Sequence, residues 1–356
     1  MTFDTKAVAR TWLSSQRSDI IAGRWKNPKA LAAETFGQYA ATWVSQRATS
    51  KGEPLRPKTR VKYERQLAKG LSVFADDALT AITPARVRTW HADRMTVGKT
   101  AAAAEARLLR AIFTTAEEDG IVQVNPVSAK LTKTSAGKTF RPPTVEELAI
   151  THQHVDARFK LGVLIAAYGG LRLSEWRALR RSGLTLIDGR YAVAVTRQAQ
   201  YVTGEAWIDG PPKSSKGIRA VTLPAWMITV IDDHFTAYVG EFDGSLIFPP
   251  NGRSEFIHDS AFDDSWVPAQ DAAGVRGRVR EHDLRDFSAS HLMAAGALPL
   301  EVRDAMGHAN VRTTVEHYLH RVNDRSAELA DRMPTLPAPK PSNVTAIEAT
   351  TGTDRN

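Results

Sequence analysis

The sequence predicts a mainly α-helical protein with a small antiparallel β-sheet, divided between two folded units. Three observations predict it. Apolar residues recur at helical spacing through most of the chain, and alternation replaces that spacing between Leu184 and Leu223. A Lys-, Ser-, Gly- and Pro-bearing stretch over 134–143 reads as an extended linker between the units.

Taken in order, residues 5–22 carry Val8, Trp12, Leu13, Ile20 and Ile21 among polar neighbours, the pattern of one amphipathic helix ahead of the breaker Asn27-Pro28. One helix is too little for a core, so 1–33 is assigned to an N-terminal segment. Helical patterns then follow at Phe36–Arg47, Lys58–Leu71, Pro84–Met95 and Thr100–Glu118, and Asn125-Pro126 closes the block, giving a helical unit over 34–133. The second unit, 144–335, opens at Thr144-Val-Glu-Glu-Leu. There Thr144 can accept a backbone hydrogen bond while Glu147 reaches back, a capping box. Helices are expected up to Arg181. The runs Tyr191-Ala-Val-Ala-Val and Ile218-Arg-Ala-Val-Thr-Leu, interrupted by Gly204 and Gly210-Pro-Pro, then predict the sheet. The tail 336–356 is rich in Pro, Thr, Ser and Ala, has little to bury, and is expected to be disordered.

A chain of 356 residues that is 42% apolar can bury two ordinary cores. Its net charge of +8 favours a polyanionic partner. With no cysteine, disulfides, thiolate metal sites and cysteine nucleophiles are excluded. The longest apolar stretch, Leu161 to Leu171, is shorter than the ~20 residues that a bilayer needs, and the first residues lack the apolar core of a signal peptide. A cytoplasmic location without membrane contact is therefore expected. Neither a Walker-type Gly-Lys-Ser/Thr loop nor an acidic metal cluster is evident, so no cofactor and no metal are expected.

Three segments carry chemistry. In Gly169-Gly-Leu-Arg-Leu-Ser-Glu-Trp-Arg, Arg172 stands in a turn before a helix whose expected cap is Ser174, and Glu175 sits in the first turn, where it could orient Arg172. In His282-Asp-Leu-Arg-Asp-Phe-Ser-Ala-Ser-His-Leu, the residues Leu284, Phe287, Ser288 and Leu292 form a packed face. His282 and Arg285, three apart, lie side by side if the turn is helical. In the third, Met306-Gly-His308-Ala-Asn precedes Val311-Arg-Thr-Thr-Val-Glu-His-Tyr318-Leu-His, where Val311, Val315 and Leu319 would pack inward and leave Tyr318 on the flank. Each segment taken alone is better read as an ordinary surface arginine, a surface His/Arg pair or a half-solvated tyrosine.

The ordered set Arg172, Lys213, His282, Arg285, His308 and Tyr318 is far more specific than its parts, and it resembles the tyrosine recombinase family of phage integrases and Xer-type recombinases. Gly-Leu-Arg-Leu-Ser-Glu resembles the family's first arginine box, His-Asp-Leu-Arg its second, and Met-Gly-His with Thr-Thr-Val-Glu-His-Tyr its nucleophile region. The likeness runs from about Thr35 to Met333 and includes Lys58-Thr-Arg-Val-Lys-Tyr-Glu and Gly120-Ile-Val-Gln-Val-Asn-Pro126. Asp286 stands where many relatives have a second histidine, and Met306 where leucine is usual. Pro212-Lys213-Ser-Ser-Lys216-Gly offers two lysines in one hairpin loop, of which Lys213 resembles the family's position better.

The resemblance implies a two-domain, C-shaped DNA clamp, with 34–133 as core-binding domain and 144–335 as catalytic domain. It further implies a site-specific recombinase in which Tyr318 attacks a scissile phosphate held by Arg172 and Arg285. His282 would relay the proton of Tyr318, Lys213 would protonate the leaving 5′ oxygen, and His308 would add a donor. Between Lys51 and Lys69 seven Lys and Arg face two Glu, and Lys58, Arg60, Lys62 and Arg65 are the expected phosphate contacts. The implied partners are double-stranded DNA attachment sites, a homotetramer on two such sites, and a DNA-bending accessory protein or excision factor. The helix at 5–22 resembles the last helix of an arm-site-binding domain, so weak or no independent arm-site binding is expected. A type IB topoisomerase-like activity and a catalytically inactive DNA-binding accessory role are the alternatives.

Overall fold

A computed structural model describes residues 4–21, 34–49, 52–134, 142–204, 206–308 and 310. The first helix, α1 (Lys6–Ile21), leaves Val8, Leu13, Ile20 and Ile21 exposed.

The helical unit that follows is built around one apolar cluster. Helix α2 (Phe36–Gln46) is started by a capping box, Thr35 Oγ1 accepting from the Gln38 N–H at 3.3 Å and Gln38 Oε1 from the Thr35 N–H at 3.2 Å. It buries Phe36, Tyr39, Ala40, Trp43 and Val44 on one stripe. Helix α3 (Pro57–Ala68) is an outer layer with no fully buried residue, and it lays Tyr63 and Leu67 against that cluster. Helix α4 (Pro84–Val97) starts with Pro, whose missing N–H costs no helical hydrogen bond there, and Thr83 as cap, its Oγ1 accepting from the Arg86 N–H at 3.3 Å. Helix α5 (Lys99–Glu118) crosses the centre, and Phe113 stacks on Phe36 at 6.0 Å. Its one buried charge, Glu105, takes two hydrogen bonds from the Arg94 guanidinium at 2.7 and 2.8 Å.

A second apolar cluster, sharing no residue with the first, holds the rest. The Thr144–Glu147 capping box forms as expected and opens α6 (Val145–His154). Helix α7 (Ala157–Gly169) is buried nearly all round, which explains its unbroken apolar run. After the one-turn helix α8 (Leu173–Trp176), the Trp176 ring packs on Phe248 at 4.6 Å and on Phe262 at 5.6 Å.

The alternating segment forms two sheets rather than one. Strands β1 (Leu184–Ile187), β2 (Arg190–Val195) and β5 (Arg219–Thr222) pair antiparallel in the order β1-β2-β5, with Leu184 opposite Val193 and Val193 opposite Val221. Strands β3 (Gln198–Tyr201) and β4 (Trp207–Gly210) form a separate antiparallel pair. Helices α9 (Met227–Tyr238), α10 (Asp259–Ala272), α11 (Glu281–Ala294) and α12 (Pro299–Met306) complete the unit. Helix α11 lies along α7, with the Phe287 ring edge-on to Tyr168 at 5.7 Å. That packing sets the distance between the two arginine segments.

Candidate active site

The site is organised by the turn that ends α7. Gly170 has φ +65°, a left-handed conformation, and a Cβ there would lie 2.4 Å from the Met306 side chain, so only glycine fits without displacement. Its carbonyl accepts from the guanidinium of Arg285, which also donates to the Met306 carbonyl. Arg285 is 1% exposed. It thus ties the end of α7, the middle of α11 and the end of α12 together.

Two residues later the backbone turns into α8. Arg172, rather than Ser174, is the N-cap, and Ser174 lies inside the helix. Glu175 explains the shift, because its carboxylate accepts from the Arg172 N–H at 3.0 Å and does the capping itself. It also accepts from the Arg172 guanidinium at 2.7 Å and from Arg219 on β5 at 2.9 Å. Burial would raise the pKa of Glu175, but the Arg219 hydrogen bond and charge, joined by Arg172 and Arg285, hold it down to about 2. Glu175 is therefore a permanent anion that aims Arg172.

Helix α11 begins at Glu281, so His282 and Arg285 do fall within one helical turn, but they differ in setting. Arg285 is buried whereas the His282 ring opens to the surface. A pocket of about 240 Å³ has Arg172, Ser174, Glu281 and His282 in its wall, with Tyr201 of β3 and Lys58 of α3 at its rim. Desolvation by the surrounding protein lowers the His282 pKa; Asp286 opposes this, and Arg285 and Arg172 add to it. The imidazole is thus disposed to be neutral and able to take a proton.

At the end of α12, Gly307 is left-handed with φ +61°, and its missing Cβ makes room for the Lys216 carbonyl, which would lie 2.8 Å away, and for Arg219. The half-buried His308 follows, with its N–H on the Arg303 carbonyl at 3.0 Å. This approach brings the hairpin loop beside the arginine turn. Lys213 and Lys216 are both exposed and neither lines the pocket; Lys213 is held through its backbone carbonyl, which accepts from Arg56 at 3.2 Å. Tyr318 lies outside the described residues.

Lys58, Arg60, Lys62 and Arg65 are all exposed on α3, with Arg60 3.9 Å from Glu64. Lys58 reaches the pocket rim and so links these basic residues to Arg172 and His282. Two residues escaped the sequence reading. Arg219 was legible as an arginine on the inward register of Val221, and Glu281 only as the neighbour of His282. Among the described residues no group of three or more His, Cys, Asp or Glu could hold a metal ion, and no helix is long and apolar enough to cross a membrane.

Comparison with known proteins identifies the family. The sequence model of the phage integrase family matches residues 138–325. The chain is 32% identical over 336 residues to the prophage phiRv2 integrase of Mycobacterium tuberculosis, covering 92% of this chain and 86% of that protein. Its fold is similar to that of the Tn1549 transposon integrase in complex with a circular intermediate DNA, with a TM-score of 0.71 at 18% identity over 85% of this chain and 100% of that one. It is also similar to a lambda integrase tetramer bound to a Holliday junction, with a TM-score of 0.58 at 18% identity over 91% of this chain and 90% of that one. With a family match over more than half its length and a relative at this identity across nearly all of it, the chain belongs to the phage integrase family of tyrosine recombinases.

Proposed function

We propose that this recombinase cuts and rejoins double-stranded DNA through a covalent bond to Tyr318, integrating or excising a mobile element. The observation that carries the reading is the convergence of Arg172 and His282 on one pocket, braced by buried Arg285 and by the Glu175 anion. The Arg172 guanidinium at a phosphate neutralises charge that grows on its non-bridging oxygens as a fifth ligand arrives, and Arg285, held by the Gly170 and Met306 carbonyls, fixes the turn that presents it. The Tyr318 oxygen attacks phosphorus, the bond to the 5′ oxygen breaks, and a 3′-phosphotyrosine and a free 5′-hydroxyl result. The tyrosine proton passes to neutral His282, and Lys213 gives the leaving oxygen its proton, with Lys216 the alternative donor in the same loop. His308 adds a donor to the phosphate. Attack by a 5′-hydroxyl from a partner strand reverses the step, and each phosphodiester broken is replaced by one formed, so no external energy source enters.

The exposed Lys58, Lys62 and Arg65 on one side of α3, with Arg60 on another, grip the duplex from the side opposite the catalytic unit. In this reading 34–133 is the core-binding domain and 144–335 the catalytic domain, acting in the cytoplasm as a homotetramer on two attachment sites. A DNA-bending accessory protein or excision factor completes the assembly. The similarity to a prophage integrase supports recombination over topoisomerase-like relaxation or an inactive accessory role. A nicked suicide substrate tests the proposal. The wild type is expected to accumulate a covalent protein–DNA adduct, and Tyr318→Phe to bind DNA comparably and form none. An adduct that persists in Tyr318→Phe and maps to Tyr201 or Tyr238 refutes the nucleophile.

A further inference from the structure

Glu281 is the first residue of α11, directly before His282, and it lines the same pocket as Arg172 and His282. Its Oε1 is buried with no hydrogen-bond partner among the described residues. The carboxyl faces the Leu173 N–H at the start of α8. Around it stand Arg177 at the end of α8, Asp259 at the start of α10, Arg285 and His282 of its own helix, and Arg172 and Lys58 across the pocket. The two buried arginines beside it are already engaged. Arg177, 3% exposed, is hydrogen-bonded to Asp259, and Arg285 is bound to the Gly170 and Met306 carbonyls. An ionised Glu281 would thus be a second carboxylate beside Asp259 with one arginine between them, half of it without a donor.

Burial pushes the Glu281 pKa up to about 7, against the Leu173 N–H and the Arg177 charge that draw it the other way. The same crowding raises Asp263, where desolvation and the charge of Asp259 act together.

We propose that Glu281 is a positioning residue for DNA cleavage that works as a neutral carboxylic acid, holding the start of α11 against the start of α8 while adding no negative charge to a pocket that receives a phosphate. The proposal rests on the reading of that pocket as the scissile-phosphate site. Neutral Glu281 leaves the field of Arg172 and His282 intact. Ionised Glu281 opposes the phosphate at close range, and a phosphate already in place makes that ionisation costlier. DNA engagement above neutral pH therefore draws a proton onto Glu281.

Glu281→Gln keeps the shape and a carbonyl oxygen for the Leu173 N–H but cannot ionise. Two measurements on the full chain test the proposal. In the suicide-substrate assay, the ratio of the Glu281→Gln cleavage rate to the wild-type rate should rise between about pH 6 and about pH 8.5. The limit is about thirtyfold, the drop in neutral fraction of a group titrating near 7 over that interval. In calorimetric titration with the same DNA in buffers of different ionisation enthalpy at about pH 8, the wild type should take up more protons on binding than Glu281→Gln. A ratio flat with pH, or equal proton uptake, overturns the proposal. Adduct loss in Tyr318→Phe, read in the same assay, tests the nucleophile separately, so either idea can fail while the other stands.

Discussion

Among single residues, Glu175 joins two arginines from distant segments. Its carboxylate is buried with Arg219, the two side chains 2% and 5% exposed, and it supplies the counter-charge that fixes Arg172. Removing one partner of a buried pair leaves the other charge uncompensated, a loss of about 3 kcal/mol. Glu175→Gln should therefore lower the unfolding free energy by about that amount in a denaturant titration at neutral pH. Its pKa is depressed from an ordinary 4.5 to about 2, so the native state binds fewer protons than the unfolded state between those values. The stability that the ion pair contributes is present in full above pH 4.5 and is lost as pH falls toward 2. The gap between wild type and Glu175→Gln should close over the same window; a gap that stays constant down to pH 2 contradicts the assigned role.

For single elements, α3 illustrates what amphipathic pattern can and cannot say. Its existence was readable, expected over Lys58–Leu71 and found over Pro57–Ala68, because propensity and spacing are local properties; Tyr63 and Leu67 turn inward. Its outward Lys and Arg read equally well as a solvated face, and the placement of Lys58 at the rim of the Arg172–His282 pocket comes from the tertiary structure. If α3 lies on DNA, each lost phosphate contact should reduce the slope of log affinity against log salt by ~0.9. A Lys62→Ala/Arg65→Ala double substitution is expected to flatten that slope by about 1.8 in a fluorescence-anisotropy series. An unchanged slope would remove α3 from the interface. The β3–β4 pair was less legible than α3. Alternation shows that a segment is extended, but which strand it pairs with depends on register across the sheet.

Over the whole molecule, the two apolar clusters have no residue in common, and a cleft of about 220 Å³ lies between Arg56, Pro57 and Lys58 on one side and Gln198, Gln200 and Ile208 on the other. The Arg56–Lys213 hydrogen bond spans it. An exposed hydrogen bond contributes only about 1 kcal/mol, too little to make two cores unfold as one. Scanning calorimetry of the free protein is expected to resolve two transitions, and limited proteolysis to cut first within 134–143. One transition whose calorimetric and van't Hoff enthalpies agree would show that the halves are a single cooperative unit.

The sequence by itself determined the order of helices, the location of the alternating segment and the residue types of the site, since capping, periodicity and motif spacing are carried by neighbours in the chain. The Thr144–Glu147 box, the Gly170 and Gly307 turns and the placing of His282 and Arg285 on one helix are of this kind. Burial, charge state and partnership were decided only by the tertiary structure. Glu175 rather than Ser174 caps α8 because Arg219 arrives from a strand 44 residues away, and Arg285 is sealed by carbonyls from two other helices. The Glu281 pKa is raised to about 7 because desolvation outweighs the Leu173 N–H and the arginine charges around it, and those quantities depend on distance in space rather than along the chain.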